Sequence, residues 1–234
     1  MVEGPKVCKR KFRVLNHNPL KDPGGRAGAP MLSRIQHLVE GFFESSAGIF
    51  KRAGLSPNSV SVLGFALALL TFLFYLDGLR SGLEKAGAVL ALLLASYFDA
   101  LDGAMARRYG LVSKMGGILD SILDRVGELL LYSGLAAGGL VDFRLALWVL
   151  SASFMISYAR ARAEAEGIVM KGVGIAERPE RLLILLVATI LQPLYPASLF
   201  WGVLLIAVLA SVTVAERVYR IGSAVSGTGK KCGV

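Results

Sequence analysis

The chain has 234 residues, of which 54% are hydrophobic and 18% charged, with a net charge of +9. A mean hydropathy of +0.59 is too high for a typical soluble domain. The basic excess raises nucleic acid as a partner, but the Lys and Arg residues sit at the ends of apolar runs, as in membrane proteins, and nucleic-acid binding is set aside.

Residues 1–30 are rich in Lys, Arg, Pro and Gly, with neither apolar periodicity nor a signal-peptide core, and read as a disordered extension. A new pattern opens at Met31, a candidate start. Through Ala53, Leu32, Ile35, Leu38, Val39, Phe42, Phe43, Ile49 and Phe50 recur at helical spacing against Arg34, Glu40, Glu44, Lys51 and Arg52. This predicts an amphipathic helix over 31–53 lying along the cytoplasmic interface, ahead of a soluble docking helix.

Ser56-Pro57-Asn58-Ser59 then opens a first span with a cap and a punctuating Pro. Ser59 to Leu76 is uncharged and long enough to cross a bilayer. Ala86–Phe98 forms the apolar part of a second span. A third starts at Gly116 and continues through Leu129–Val141, and a fourth covers Leu145–Ala159. Leu182–Ala215 is uncharged but broken by Gln192-Pro193-Leu194-Tyr195-Pro196, so it reads as two spans joined by a turn. The expected fold is an all-α integral membrane protein: six transmembrane helices within residues 54–222, preceded by the interfacial helix and followed by a flexible tail over 223–234.

Arg107, Arg108 and Lys114 lie on one side of these spans, with Arg160, Arg162, Lys171, Arg178, Arg181, Arg217 and Arg220. The other side has Arg80, Lys85 and Arg144. The positive-inside rule thus puts both termini in the cytoplasm and makes this a multi-pass protein of the cell membrane. Cys8 and Cys232 form neither a metal spacing nor a disulfide framework.

Asp99, Asp102, Asp120 and Asp124 carry the chemistry. An ionised carboxylate within a bilayer costs roughly 2.5–3.5 kcal/mol on insertion scales, and four together repel one another. One or two divalent cations relieve both costs. Asp99 and Asp102 are three apart and Asp120 and Asp124 four apart, so each pair shares a helix face. Two such faces opposed make an all-oxygen pocket for Mg²⁺ or Mn²⁺. At about 1.5 Å per residue, Asp99 lies about 12 Å inside the end marked by Arg107. That recess suits a substrate with a polar head and a lipid tail, and Arg107 can reach a phosphate. A second cluster is cationic. Arg160 and Arg162 end the fourth span, Arg178 and Arg181 start the fifth with Pro179 in its first turn, and Arg217 lies near the end of the sixth. Guanidinium groups at three helix ends near one carboxylate site make an anion pocket and favour a phosphorylated acceptor.

The motif D-x-x-D-G-x-x-A-R, eight residues, G-x-x-x-D-x-x-x-D is matched at Asp99, Asp102, Gly103, Ala106, Arg107, Gly116, Asp120 and Asp124. On these residues the chain resembles the CDP-alcohol phosphotransferase family, over about residues 31–222. The resemblance implies two metal ions held by Asp99, Asp102, Asp120 and Asp124, with Asp124 also the general base. An acceptor hydroxyl would attack the β-phosphorus of a CDP-linked lipid, and CMP would leave. Gly103, Arg107 and Ser113 match nucleotide and diphosphate contacts. Asn58 and Ser61 match the Pro-Asn-x-x-Thr segment, with Ser61 in place of the usual Thr. A homodimer is likewise implied.

Ser157-Tyr158-Ala159-Arg160-Ala161-Arg162-Ala163-Glu164 and Gly174-Ile175-Ala176-Glu177-Arg178-Pro179-Glu180-Arg181 look like the members that use inositol phosphate. In those, positions matching Arg160, Arg181 and Arg217 bind the acceptor phosphate, and the first is commonly Lys. The expected reaction passes a lipid phosphate from CDP-archaeol or CDP-diacylglycerol to myo-inositol 1-phosphate. Rival readings are glycerol 3-phosphate as acceptor, CDP-inositol as donor, and an ion or proton transporter. The transporter would use the carboxylates but leaves Gly103, Arg107 and the cationic cluster unexplained.

Overall fold

Polar caps decide where the helices begin. Residues 43, 45–170 and 173–229 are described by the computed structural model, with side chains through Val225. The expected extension 1–30, residues 31–42 of the expected interfacial helix, and both cysteines lie outside the described residues. Helix α1 covers residues 45–52. It is followed by α2 (Pro57–Leu76), α3 (Gly82–Arg108), α4 (Lys114–Ala137), α5 (Phe143–Ala165), α6 (Arg178–Leu191) and α7 (Ser198–Gly229). The Ser56 hydroxyl accepts the Ser59 N–H at the start of α2. Ser81 and Glu84 exchange side-chain-to-backbone bonds in a capping box at α3. Ser113 caps α4 and Asp142 caps α5. Each such cap contributes about 1 kcal/mol. Helix α6 has no side-chain cap, and Pro179 in its first turn fixes the entry instead.

The described residues are all-helical, with no strand among them. Helices α2, α3 and α7 are long and apolar enough to cross a membrane, with mean hydropathies of 2.2, 1.5 and 2.3. Helix α4 is interrupted by Asp120, Asp124, Arg125 and Glu128, α5 carries Arg144 and Arg160, and α6 has only 14 residues. Helix α7 continues past residue 222, where the sequence places the start of the tail. The Ser223 hydroxyl bonds back to the carbonyls of Tyr219 and Arg220, so it follows the helix rather than leaving it.

Helix α2 packs mainly on α3 and α4, while α7 packs on α5 and α6. Contacts α4–α5 and α3–α6 join the two groups. A shared core gathers Tyr75, Leu92, Leu131, Leu135, Val149, Leu185, Val203 and Ile206. Leu63, Leu70, Leu73, Leu90, Leu93, Leu205 and Val212 face outward. Against lipid, helix association depends on close packing rather than on escape from water, which favours small residues at crossings. Gly134 is one: a Cβ there would lie 2.9 Å from the Phe72 ring and 3.0 Å from the Phe72 carbonyl oxygen.

Candidate active site

Helices α3 and α4 both pack on α2, and this shared partner brings the aspartates together on facing sides. Carboxylate oxygens of Asp99, Asp120 and Asp124 lie within 4.8 Å of one another. Asp102 lines the same cleft, one turn along α3, and accepts a short hydrogen bond from the Ser61 hydroxyl of α2. Gly64, Ala68, Ala95 and Gly127 form much of the remaining wall, so the cleft is walled by small side chains and floored by Leu92, Leu131 and Leu182.

A guanidinium already sits among the carboxylates. Arg178, the first residue of α6, bonds to Asp99 and places Nη1 2.7 Å from Asp124 Oδ1. Arg125 Nη1 lies 3.1 Å from the other Asp124 oxygen, Oδ2. A cavity of about 30 Å³ remains in the cleft, enough to hold a water molecule or a small cation. Close-packed carboxylates demand positive charge, and in this structure Arg178 and Arg125 supply it. The donor set also fits a metal: three converging carboxylates, with a fourth beside them, offer a hard divalent cation oxygen ligands alone.

Of the expected lipid-nucleotide residues, Ser61 lines this cleft, while Asn58 and Ser113 meet at the start of α4. Ser113 Oγ accepts the Gly116 N–H at 3.0 Å. A Cβ on Gly116 would lie 2.9 Å from Ser113 Oγ and 3.1 Å from Asn58 Oδ1, so glycine lets α2 and the α4 N-terminus meet here. Arg107 folds back over Gly103, where a Cβ would lie 3.1 Å from its Nη1.

The expected acceptor arginines are placed differently from one another. Arg160 is half-exposed and pairs with Glu164 at 2.9 Å. Arg181 is buried, bonded to Glu128 of α4 and to the Ala176 carbonyl. Arg217 is also buried; it bonds the carbonyls of Val173 and Ile156 at 2.9 and 2.7 Å and meets Glu177 at 3.2 Å. The three lie near enough that Arg160 and Arg181 act electrostatically on Arg217. Arg178, not one of these three, touches the carboxylates. Two buried N–H groups, Nε of Arg178 and Nε of Arg181, have no hydrogen-bond partner.

Sequence reasoning missed Glu128 and Glu177, and it placed Arg178 in the cationic cluster without bringing it to the aspartates. Glu128 carried a signal, since it continues the Asp120–Asp124 stripe by one more turn. Arg178 carried none beyond its neighbourhood, because its contact with Asp99 depends on how α6 meets α3.

Residues 55–214 match the CDP-alcohol phosphatidyltransferase family. The chain belongs to this family. It is an enzyme, a CDP-alcohol phosphotransferase of phospholipid biosynthesis. It is 38% identical over 191 residues to the archaetidylinositol phosphate synthase of Pyrococcus horikoshii, covering 81% of this chain and 96% of that one. It is 40% identical over 182 residues to the phosphatidylinositol phosphate synthase of Mycolicibacterium smegmatis, covering 73% and 79%. The fold is similar to the crystal structure of the Mycobacterium tuberculosis phosphatidylinositol phosphate synthase with CDP-DAG bound. The TM-score is 0.65 at 30% identity, over 76% of this chain and 92% of that one. The same relative has been solved with manganese and citrate, with a TM-score of 0.65, covering 76% and 88%.

Proposed function

We propose that this family member transfers a lipid phosphate from a CDP-linked diradylglycerol to myo-inositol 1-phosphate, releasing CMP. The observation that carries the reading is the convergence of Asp99, Asp120 and Asp124, with Asp102 alongside, at the family's motif positions. These four residues would hold two divalent cations, Mg²⁺ or Mn²⁺, which supply charge stabilisation for the diphosphate. Asp124 accepts the proton of the acceptor hydroxyl. The hydroxyl oxygen forms a bond to the β-phosphorus, and the bridging P–O bond to CMP breaks. Arg107 and the Gly103 backbone meet the diphosphate, and Asn58, Ser61 and Ser113 line the nucleotide side. Ser61 also orients Asp102 through its hydrogen bond.

Arg160, Arg181 and Arg217 receive the acceptor phosphate. The names of the relatives support an inositol phosphate acceptor. The unpartnered Nε donor of Arg181 supports it physically, because a buried N–H without a partner is costly and an anion would satisfy it. The enzyme domain spans residues 54–222 with six membrane-crossing helices. The site opens to the cytoplasm, as the Lys/Arg bias supports, and the enzyme acts as a homodimer in the cell membrane.

The test is CMP release by the purified enzyme with Mg²⁺ and CDP-diacylglycerol or CDP-archaeol, offering inositol 1-phosphate, glycerol 3-phosphate, inositol and serine in turn. Release with inositol 1-phosphate alone is expected. Release with glycerol 3-phosphate instead would keep the reaction and overturn the acceptor.

A further inference from the structure

Arg178 raises a question that the reaction leaves open. It is the N-terminal residue of α6, where the helix dipole opposes a cation. Yet its guanidinium is driven into the carboxylate cluster, bonded to Asp99 and, at 2.7 Å, to Asp124 Oδ1. These two residues and Asp120 present converging oxygens. A guanidinium bonded to two of these three carboxylates competes with any cation bound between them.

We propose that Arg178 is a displaceable counter-ion. It holds the carboxylates together while they carry no metal and withdraws from Asp99 and Asp124 when a divalent ion is loaded. This rests on the reading of the four aspartates as a metal site.

Charge makes the exchange favourable. Arg178 and Arg125 offset two of the four carboxylate charges, so the cluster stays net negative around a monovalent group. A divalent ion neutralises more of it in the same space. The Nε of Arg178 has no partner in its present position, so the guanidinium satisfies only part of its hydrogen-bonding fork there. The movement is confined to the side chain. The backbone before it is pinned by Arg217 on the Val173 carbonyl, by Arg181 on the Ala176 carbonyl and by the Thr213 hydroxyl accepting the Ala176 N–H. Glu128 holds Arg181 from α4. Arg178 therefore swings from a fixed base and, once released, presents a bidentate phosphate donor at the edge of the cleft.

The test is Mn²⁺ binding to the purified, chelator-stripped full chain without substrates, read from the electron paramagnetic resonance signal of free Mn²⁺. Arg125→Gln is the control, because Arg125 also pairs with Asp124 but through the outer oxygen, Oδ2, alone. Removing either charge favours cation binding through space, whereas removing Arg178 also removes an occupant. Arg178→Gln is expected to tighten Mn²⁺ binding by roughly tenfold or more, and Arg125→Gln by clearly less. Equal tightening in the two variants, or no tightening in Arg178→Gln, overturns the proposal.

Wild-type binding that is lost in Asp120→Asn while Arg178→Gln leaves it unchanged would sink the counter-ion role alone. Absence of Mn²⁺ binding in the wild type would take the metal-site reading down with it. A measurement on the wild type guards against a variant that does not fold. Modification of Arg178 by phenylglyoxal, followed by peptide mass spectrometry, should speed up several-fold on Mn²⁺ addition. An unchanged or slower rate overturns the proposal.

Discussion

Asp124 is engaged from both sides, by Arg178 on one oxygen and Arg125 on the other. If it is the base, Asp124→Asn keeps the shape and removes the proton acceptor. Turnover should then fall by about 10²–10⁴-fold, with CDP-lipid binding largely kept. CMP release measured beside CDP-lipid binding checks this, and equal loss of both would argue against a base. Arg181 presents a different problem, because it pairs with buried Glu128 and is also the expected acceptor contact. Arg181→Ala strands a buried carboxylate and should cost about 3–5 kcal/mol of stability. Thermal unfolding of Arg181→Met combined with Glu128→Leu should recover most of that loss. If Arg181 also binds the acceptor, KM for inositol phosphate stays high in the double variant. Recovery of both would make Arg181 structural only.

The element that positions the cationic side of the site is the segment 173–177 between α5 and α6. Its backbone polar groups are tied to α7 and α6 by Arg217, Thr213 and Arg181. Gly174 makes that course possible: its φ is +124°, and a Cβ there would run into the Thr213 methyl. Gly174→Ala should therefore destabilise the enzyme by about 1–3 kcal/mol. It should also raise KM for the phosphorylated acceptor more than for the CDP-lipid, since the strain falls on the segment that leads to Arg178 and Arg181. A comparison of the two KM values checks this, and an equal rise would mean that the segment does not serve the acceptor alone.

At the scale of the whole molecule, α2–α4 brings the four aspartates and α5–α7 brings Arg178, Arg181 and Arg217. Carboxylates from one group of helices and guanidiniums from the other suit a site that must take both metal and phosphate. Chelation should abolish CMP release, and added Mg²⁺ or Mn²⁺ should restore it. Activity that persists in excess chelator would refute metal dependence. Removal of residues 1–30, which precede everything that builds the site, should leave turnover within about twofold, a change under 0.5 kcal/mol in barrier. A dead truncation, assayed by the same CMP release, would give that segment a role.

Local spacing made much of this protein legible in its sequence. Helix faces repeat every three or four residues, so the pairs Asp99/Asp102 and Asp120/Asp124 could be set on common faces without coordinates. Ser56 as a cap, Pro179 in a first turn and the break at residues 192–196 are equally local, and the helices begin and end accordingly. What joins residues far apart in the chain was not legible. That Ser61 serves Asp102, that Glu128 meets Arg181, and that Arg178 rather than Arg181 reaches Asp99 all follow from how α2, α4 and α6 cross their neighbours. Those crossings are set by the combined fit of many side chains, such as Phe72 against Gly134. The sequence by itself determined which residues are able to do the chemistry, because charge and helical period belong to single elements. Only the tertiary structure decided which of the arginines stands among the aspartates, because a contact between helices belongs to neither helix alone.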